Sequence, residues 1–315
     1  MKRLALLSVS VLLLGLLVLV SGPERVAGIL LRAEPGFLLL GLLIWFSGYL
    51  LRAVRWKLLL GRCDVNPDFR TVMKVYASGL FLSNLSPGKI GDPARCLILK
   101  KVSGYRVGRT LPSLVFERFS DVIVTLSLAV WSVFVVSGPV WIWILAAVVF
   151  YFSAFAAFLL ALNSEGFAGW LSSKISGIVP FPGFGQKFEK FLRRLKRNLK
   201  KYGFSSVALS VLMSVPVWIM DASVLYVSFL ALGLDVGFLP VLTLVPLISL
   251  VSILTMLPGG LGSSELLAVV LFTSLYPLSP AEVTAAALLS RLLSSWPYAL
   301  LGSAFLSSMK YRYEV

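Results

Sequence analysis

The chain has 315 residues, 58% of them hydrophobic, and its formal net charge is +15. Soluble domains contain about 45–50% apolar residues, whereas several segments here reach the roughly 20 residues needed to cross a bilayer. The composition therefore excludes an ordinary soluble fold and predicts an all-α, polytopic membrane protein with a single membrane domain, residues 1–315. Because the sequence contains no histidine, His-based catalytic triads and HExxH zinc sites are also excluded.

The positive charge does not indicate nucleic acid binding, because the basic residues flank apolar segments and form no separate basic domain. This distribution is typical of membrane insertion governed by positive charge and of contact with anionic lipid headgroups. The two cysteines, Cys63 and Cys96, lack the spacing of a disulfide framework or a metal site. We therefore predict membrane lipids as partners and neither nucleic acid, metal nor cofactor.

Apolar segments predict six membrane-spanning helices and two further elements that are broken in the middle. The spans cover residues 4–20, 36–58, 110–136, 139–162, 204–232 and 281–308, and the broken elements cover 69–100 and 239–276. The first half is thus 1–162 and the second half 204–315, joined by a polar segment, 163–203. Lys2 and Arg3 before the first apolar run also suit a signal peptide, but the length of the run and the poor cleavage context favour a retained span.

If each of the two broken elements is re-entrant, most of the 29 lysines and arginines lie on the same side of the membrane as the N-terminus. This asymmetry predicts six spans with both termini in the cytoplasm. Eight spans, with each broken element crossing twice, satisfy the same distribution. Within the polar segment, residues 187–201 place Phe and Leu at helical spacing among basic residues, which predicts an amphipathic helix on anionic lipid; a solvated basic loop is the alternative.

The two broken elements share a motif. "LSPGKIGDPAR" contains Pro87, Gly88 and Gly91, and "MLPGGLGSSEL" contains Pro258, Gly259 and Gly262 at the same spacing. A short helix and then an arginine-bearing span follow each break. Because the two elements are expected to enter from opposite sides, the pattern predicts an inverted repeat, an architecture common in secondary transporters.

A helix is expected to start after each break. After the first break, Asp92 is the expected N-cap and Pro93 the first helical residue. After the second break, Ser263 is the expected N-cap, and Glu265 lies in the first turn of the helix. Helix N-termini offer free N–H groups to an anion. Lys89 and Arg95 would add positive charge at the first break. The alternative is a pair of re-entrant loops with capping residues and no ligand.

Charged residues inside the spans are costly in lipid and usually face a cavity or a partner. Two interpretations are open: internal ion pairs that hold the spans together, or a site for a phosphate-type headgroup in which an acid exchanges protons or balances charge. The predicted substrate-binding set is Asn84, Lys89, Asp92, Arg95, Glu117, Arg118, Asp121, Asp221, Ser263, Glu265 and Arg291.

Several motifs together resemble the flippase-like transmembrane region of lysylphosphatidylglycerol synthases and its stand-alone relatives. They are "LLRAVRWKLLL", "YASGLFLSNLSPGKIGDPARCLILKK", "SLVFERFSDVIV", "LPGGLGSSELLAVVLF" and "AALLSRLLSSWPYALLGS". The resemblance covers residues of about 40–310, and its motif positions are Asn84, Pro87, Gly88, Gly91, Arg95, Glu117, Arg118, Pro258, Gly259, Gly262, Glu265 and Arg291. It implies the plasma membrane of a prokaryote and a part in moving lipid between leaflets.

The full-length synthases carry a soluble aminoacyl-transfer domain after this membrane region, and no such domain is present in this sequence. We therefore expect a non-enzymatic transporter for an anionic headgroup, either phospholipid or polyprenyl-phosphate-linked. The alternative is a non-transporting partner or scaffold of a lipid-modifying or glycosyl-transfer enzyme. An intramembrane aspartyl protease is disfavoured. Those proteases have a glycine at the position that Lys89 occupies in "KIGD", and Pro93 directly follows the acid of this motif.

Overall fold

The computed structural model describes residues 2–86, 91–135, 141–163 and 203–313, with residues 166, 169, 170 and 173. Within these ranges the protein is helical and has no strand. The helices of the first half are α1 (Lys2–Ser21), α2 (Pro23–Leu30), α3 (Pro35–Gly61), α4 (Phe69–Asn84), α5 (Ala94–Ser103), α6 (Val107–Val135) and α7 (Trp141–Asn163). Those of the second half are α8 (Gly203–Ala231), α9 (Phe238–Leu254), a 3-10 turn (Pro258–Gly260), α10 (Ser263–Leu275) and α11 (Pro280–Tyr313).

The predicted all-α membrane architecture is confirmed. Among the described residues, three helical segments are long and apolar enough to cross a membrane alone: Pro35–Gly61, Ser205–Ala231 and Pro258–Leu275, the last of which includes the 3-10 turn. A fourth is counted if Leu7–Ser21 and Pro23–Leu30, which meet at 88°, form one bent span. Helices α6 and α11 are as long, but they carry charged residues within their apolar sequence. The count of six to eight spans therefore stays a prediction.

Both broken elements are present where the sequence predicts them, as α4–break–α5 and as α9–turn–α10. An arginine-bearing helix follows each, α6 with Arg118 and α11 with Arg291. The order of the two halves is therefore repeated, while their inverted orientation in a membrane stays a prediction. Pro87, Gly88 and Lys89 of the first break lie outside the described residues, as does the predicted amphipathic helix 187–201.

Glycines let the helices of the first broken element approach closely. A Cβ on Gly79 of α4 would lie 2.6 Å from the Cβ of Arg95 on α5, and one on Gly302 of α11 would lie 2.6 Å from the carbonyl oxygen of Ala77 on α4. Such small residues are typical of helix contacts in membranes, where packing replaces the hydrophobic effect. The first broken element is thus held against α11 of the other half.

The buried apolar residues form two main clusters among the described residues. One cluster packs α3, α4 and α11 around Trp45, Tyr49 and Trp56. The other packs α8, α9 and α10 around Phe229, Leu244 and Phe272. The charged side chains of α3, α6 and α8 lie where these helices meet, which positions the site described next.

Candidate functional site

The second break is a tight turn that requires glycine. Gly259, Gly260 and Gly262 have φ values of 58°, 63° and 83°, a region that residues with a Cβ rarely adopt. The expectation that Ser263 is the N-cap of α10 is wrong, because Gly262 occupies that position. Glu265 reaches back to accept a 2.8 Å hydrogen bond from the Gly262 N–H, while the Ser263 hydroxyl donates to Gly260 O.

Arg291 on α11 holds this turn together. Its guanidinium pairs with Glu265, and it donates to Ser264 Oγ at 2.7 Å and to the carbonyl oxygens of Gly259 and Gly260 at 3.3 and 3.4 Å. Two of the carbonyl groups of the break, those of Gly259 and Gly260, thereby gain a hydrogen-bond donor. Most donors of Arg291 are therefore engaged in the fold of the break.

The first break brings an acid into the bundle. Gly91 N–H donates to Ser86 Oγ at 2.7 Å, and a Cβ on Gly91 would lie 2.6 Å from the carbonyl oxygen of Leu82, so the chain passes itself closely there. The expectation that Asp92 caps the next helix is wrong, because α5 begins at Ala94 with Pro93 at the N-cap. Asp92 instead accepts a hydrogen bond from Ser83, and it also faces α6.

Glu117 on α6 is the centre of a buried ion network. Its carboxylate is fully buried and pairs with Arg55 at 3.0 Å, Arg95 at 2.7 Å and Arg118 at 3.1 Å. Tyr76 Oη donates to it at 2.7 Å. Three guanidinium groups around one carboxylate leave positive charge, which the neighbouring acids balance.

Asp121, one turn further along α6, supplies that balance. It pairs with Arg55 at 2.6 Å and Arg118 at 3.3 Å, and it accepts from Ser214 Oγ on α8 at 3.1 Å. Arg118 also lies 3.5 Å from Asp92. The side chain of Arg118 is 39% exposed, whereas those of Asp121 and Glu117 are 11% and 0% exposed.

Arg95 lies on the buried side of this network. Its guanidinium carbon is 5.1 Å from the ring centroid of Trp56 and 4.8 Å from that of Tyr76, within the range of cation–π contacts. Together with Glu117 these rings enclose the charge, and the side chain is 2% exposed. Arg95 was expected to add positive charge at an open helix end. In the structure its side chain is instead enclosed by the ion network.

Two arginines of α3, Arg52 and Arg55, belong to the site although the predicted substrate-binding set does not contain them. Arg55 is buried and bridges Glu117 and Asp121. Arg52 pairs with Asp221 on α8 and donates to Tyr298 Oη at 3.4 Å. Their spacing along α3, three residues, puts both on the face that meets α6 and α8, a signal that the sequence did contain.

A cavity of about 320 Å³ lies where the two halves meet, within the usual size range of ligand sites. The predicted site residues that line it are Asn84, Arg118, Asp121, Asp221, Gly259, Glu265 and Arg291, and Arg52 lines it as well. Asp92, Arg95, Glu117 and Ser263 are buried outside its wall. The ligand role of each stays a prediction.

The end of α4 touches the second break at this cavity. A Cβ on Gly259 of the second break would lie 3.1 Å from the carbonyl oxygen of Asn84, the last residue of α4 before the first break. Both residues line the cavity. The arrangement therefore brings the end of α4, the second break, Arg118 and Arg291 to one polar chamber.

These features define a helical membrane protein with two broken helices around an ionic cavity. The chain matches the lysylphosphatidylglycerol synthase TM region family over residues 4–302, and it belongs to that family. A UPF0104 membrane protein of Methanothermobacter thermautotrophicus is 27% identical, covering 98% of this chain and 93% of its own. UPF0104 membrane proteins of Pyrococcus horikoshii and Methanocaldococcus jannaschii are 27% and 25% identical, covering 96% and 93% of this chain and 96% and 90% of their own. The resemblance stated from the motifs is confirmed.

Proposed function

We propose that this protein moves a lipid with an anionic headgroup, a phospholipid or a polyprenyl-phosphate-linked lipid, between the leaflets of the plasma membrane. One observation carries the proposal: Arg118, in the cavity where the end of α4 meets the second break, is 39% exposed although it lies on a long apolar helix. A charged side chain at membrane depth costs about 3 kcal/mol or more, and such residues commonly mark a substrate path.

The charge pattern supports reversible binding of a phosphate. Arg118 has three acids within 3.5 Å, at Asp92, Glu117 and Asp121. Its pairs with Asp92 and Asp121 are the longer ones, so a headgroup phosphate would compete with these two carboxylates for the Arg118 guanidinium. Guanidinium groups suit phosphate because they donate two parallel hydrogen bonds. The acyl or prenyl chains would stay in the lipid throughout.

Movement of the headgroup requires the cavity to open to each leaflet in turn. Transporters with repeated halves and broken helices do so by rocking one half against the other around a fixed site. In this protein the contact of Asn84 with Gly259 joins the two breaks, and α11 packs on α4 of the first. We infer that this contact is the place where the halves move, with both termini in the cytoplasm and no covalent change in the lipid.

Proteoliposomes test the proposal. Phospholipids carrying a fluorophore on an acyl chain are reconstituted with the purified protein, and dithionite quenching then reports leaflet exchange. We expect exchange with the native protein and a loss on the order of tenfold or more for Arg118→Gln. The matched control is Arg109→Gln, an exposed arginine of the same helix. Exchange no faster than in empty liposomes for every anionic lipid tried, or equal rates for both variants, would contradict the proposal.

A non-transporting partner of a lipid-modifying or glycosyl-transfer enzyme is the second candidate. It is favoured by the pairing of the arginines near the cavity, since Arg52, Arg55, Arg95, Arg118 and Arg291 each have an acid within ion-pair distance. Ion pairs that only hold helices together would give this pattern. Co-purification of such an enzyme, together with native function in cells carrying Arg118→Gln, would support it.

A further inference from the structure

The charges on the cavity wall are balanced in sign. Arg52, Arg118 and Arg291 line it, and so do Asp121, Asp221 and Glu265. A site made only for an anion would carry an excess of positive charge on its wall, as phosphate sites in proteins generally do. The balance points to a ligand that carries charge of both signs.

The open groups of the cavity are one cation and one anion. In the pair on α6, the Arg118 side chain is 39% exposed and Asp121 is 11% exposed. In the pair between α3 and α8 the order is reversed, because Asp221 is 36% exposed and Arg52 is 13% exposed. The third pair is closed, with Arg291 14% and Glu265 3% exposed. The wall therefore presents a guanidinium at one place and a carboxylate at another.

Aromatic side chains accompany the open carboxylate. Trp218 lies three residues before Asp221 on α8, hence on the same helix face, and it lines the cavity together with Tyr298 of α11. The indole Nε1 of Trp218 is buried and has no hydrogen-bond partner within the described part of the chain. A carboxylate beside aromatic rings is the chemistry that binds an ammonium group, by charge and by cation–π contact.

We propose that the cavity selects a zwitterionic headgroup, with its phosphate at Arg118 and its ammonium group at Asp221, flanked by Trp218 and Tyr298. This inference rests on the proposed lipid transport. It replaces the anionic headgroup proposed there by one in which the phosphate is accompanied by an ammonium group, so that the net charge of the headgroup is zero. A headgroup with phosphate alone leaves Asp221 facing it without a counter-charge. A headgroup with a phosphate and an ammonium group places an opposite charge beside each of the two open residues, and it leaves the net charge of the cavity unchanged.

The test compares two phospholipids in the same proteoliposomes, phosphatidylethanolamine and phosphatidylglycerol, each with the fluorophore on an acyl chain so that the headgroup is natural. We expect the ethanolamine lipid to exchange about tenfold faster, which corresponds to about 1.4 kcal/mol. Asp221→Asn should bring that rate down to the glycerol lipid's rate. Equal rates in the native protein, or an unchanged preference in Asp221→Asn, would overturn the inference. If neither lipid exchanges, the transport proposal fails instead.

Two variants guard against a folding defect. The double variant Arg52→Gln with Asp221→Asn removes both charges of the pair, so that no lone charge remains, and it should lose the preference as the single variant does. Asp235→Asn changes an exposed acid that lies outside the cavity wall and should keep the preference. A double variant that keeps a native preference would overturn the inference.

A binding arm distinguishes a lipid from a soluble ligand with the same charges. Thermal stability of the detergent-purified protein is measured with dihexanoyl phosphatidylethanolamine, dihexanoyl phosphatidylglycerol and glycerophosphoethanolamine. We expect the ethanolamine lipid to raise the Tm more than the other two compounds. Equal stabilisation by glycerophosphoethanolamine, without exchange of the labelled ethanolamine lipid, would make the ligand a soluble compound and overturn the lipid assignment.

Discussion

Arg118 of α6 lies between two acids from different parts of the fold, 3.5 Å from Asp92 in the first break and 3.3 Å from Asp121 on its own helix. Arg118 thus links Asp92 of the first broken element to the ion network and to the cavity.

Removing Arg55 should destabilise the protein strongly. Arg55 bridges Glu117 and Asp121, and all three are buried. Arg55→Met leaves the two carboxylates short of a counter-charge, which costs about 3–5 kcal/mol for buried ion pairs. The free energy of unfolding in mixed detergent micelles measures the effect. Arg62→Met, an exposed arginine just beyond α3, is the control, and a similar small effect of both variants would show that Arg55 carries no structural charge.

Gly79→Ala should weaken the packing of α4 on α5. The added methyl group would lie 2.6 Å from the Cβ of Arg95, so the helices must separate, at a cost of about 1–3 kcal/mol. Gly108→Ala, at a helical position with nothing within 4 Å, serves as the control. Thermal unfolding followed by circular dichroism compares them. If both variants melt together, the close approach of α4 and α5 is not as described.

Arg291 and Glu265 should behave as one unit that holds the second break. Arg291→Gln or Glu265→Gln leaves an uncompensated charge beside the turn, whereas the double variant leaves none. We expect the double variant to be more stable than the sum of the single effects predicts, by about 1–3 kcal/mol. The cycle is measured by unfolding in detergent. Additive effects would mean that the two side chains do not interact.

Asp68 gives the stability a dependence on acid pH. Its carboxylate accepts a 2.9 Å hydrogen bond from the Thr71 N–H at the start of α4, and these bonds to Thr71 lower its pKa from the ordinary value of 3.8. The stabilisation is fully present above pH 3.8 and is lost as the pH falls through the lower folded-state pKa. Asp68→Asn, which still caps the helix but does not titrate, should remove this part of the pH dependence.

Unfolding midpoints measured between about pH 2 and pH 6 check this prediction. Above about pH 5 the unfolding midpoints of the native protein and of Asp68→Asn should change with pH in the same way. As the pH falls further, the native protein should lose more stability than Asp68→Asn. Asp68→Ala should lower the stability at neutral pH by about 1 kcal/mol. Superimposable profiles for native protein and Asp68→Asn would contradict the capping role.

The helices were predictable because long apolar runs and Pro/Gly breaks have local causes. The predicted segments 36–58 and 204–232 correspond to Pro35–Gly61 and Gly203–Ala231 within a few residues. Charge partners were not predictable in this way, because pairing depends on which helices meet. Arg52 and Arg55 follow an apolar run, a position that suits a cytoplasmic flank as well as a buried pair, and only the contact of α3 with α6 and α8 decides between them.

The caps of the short helices show a second limit. Asp92 and Ser263 are residue types that favour an N-cap, yet neither takes that position. Asp92 accepts a hydrogen bond from Ser83 and pairs with Arg118, which lie on other helices. At the second break, Gly262 with its positive φ is the N-cap of α10. Local preference was outweighed by tertiary contacts in the first case and by backbone geometry in the second.

The central claim is that the headgroup passes through the cavity where the end of α4 meets the second break, and blocking that cavity tests it most directly. Ser295→Cys, on the cavity wall, and Ser307→Cys, exposed on the same helix, are made in a protein with Cys63→Ser and Cys96→Ser. After treatment with a charged thiol reagent, leaflet exchange is measured in proteoliposomes. We predict that exchange is abolished for Ser295→Cys and retained for Ser307→Cys. Full exchange by labelled Ser295→Cys would contradict the account.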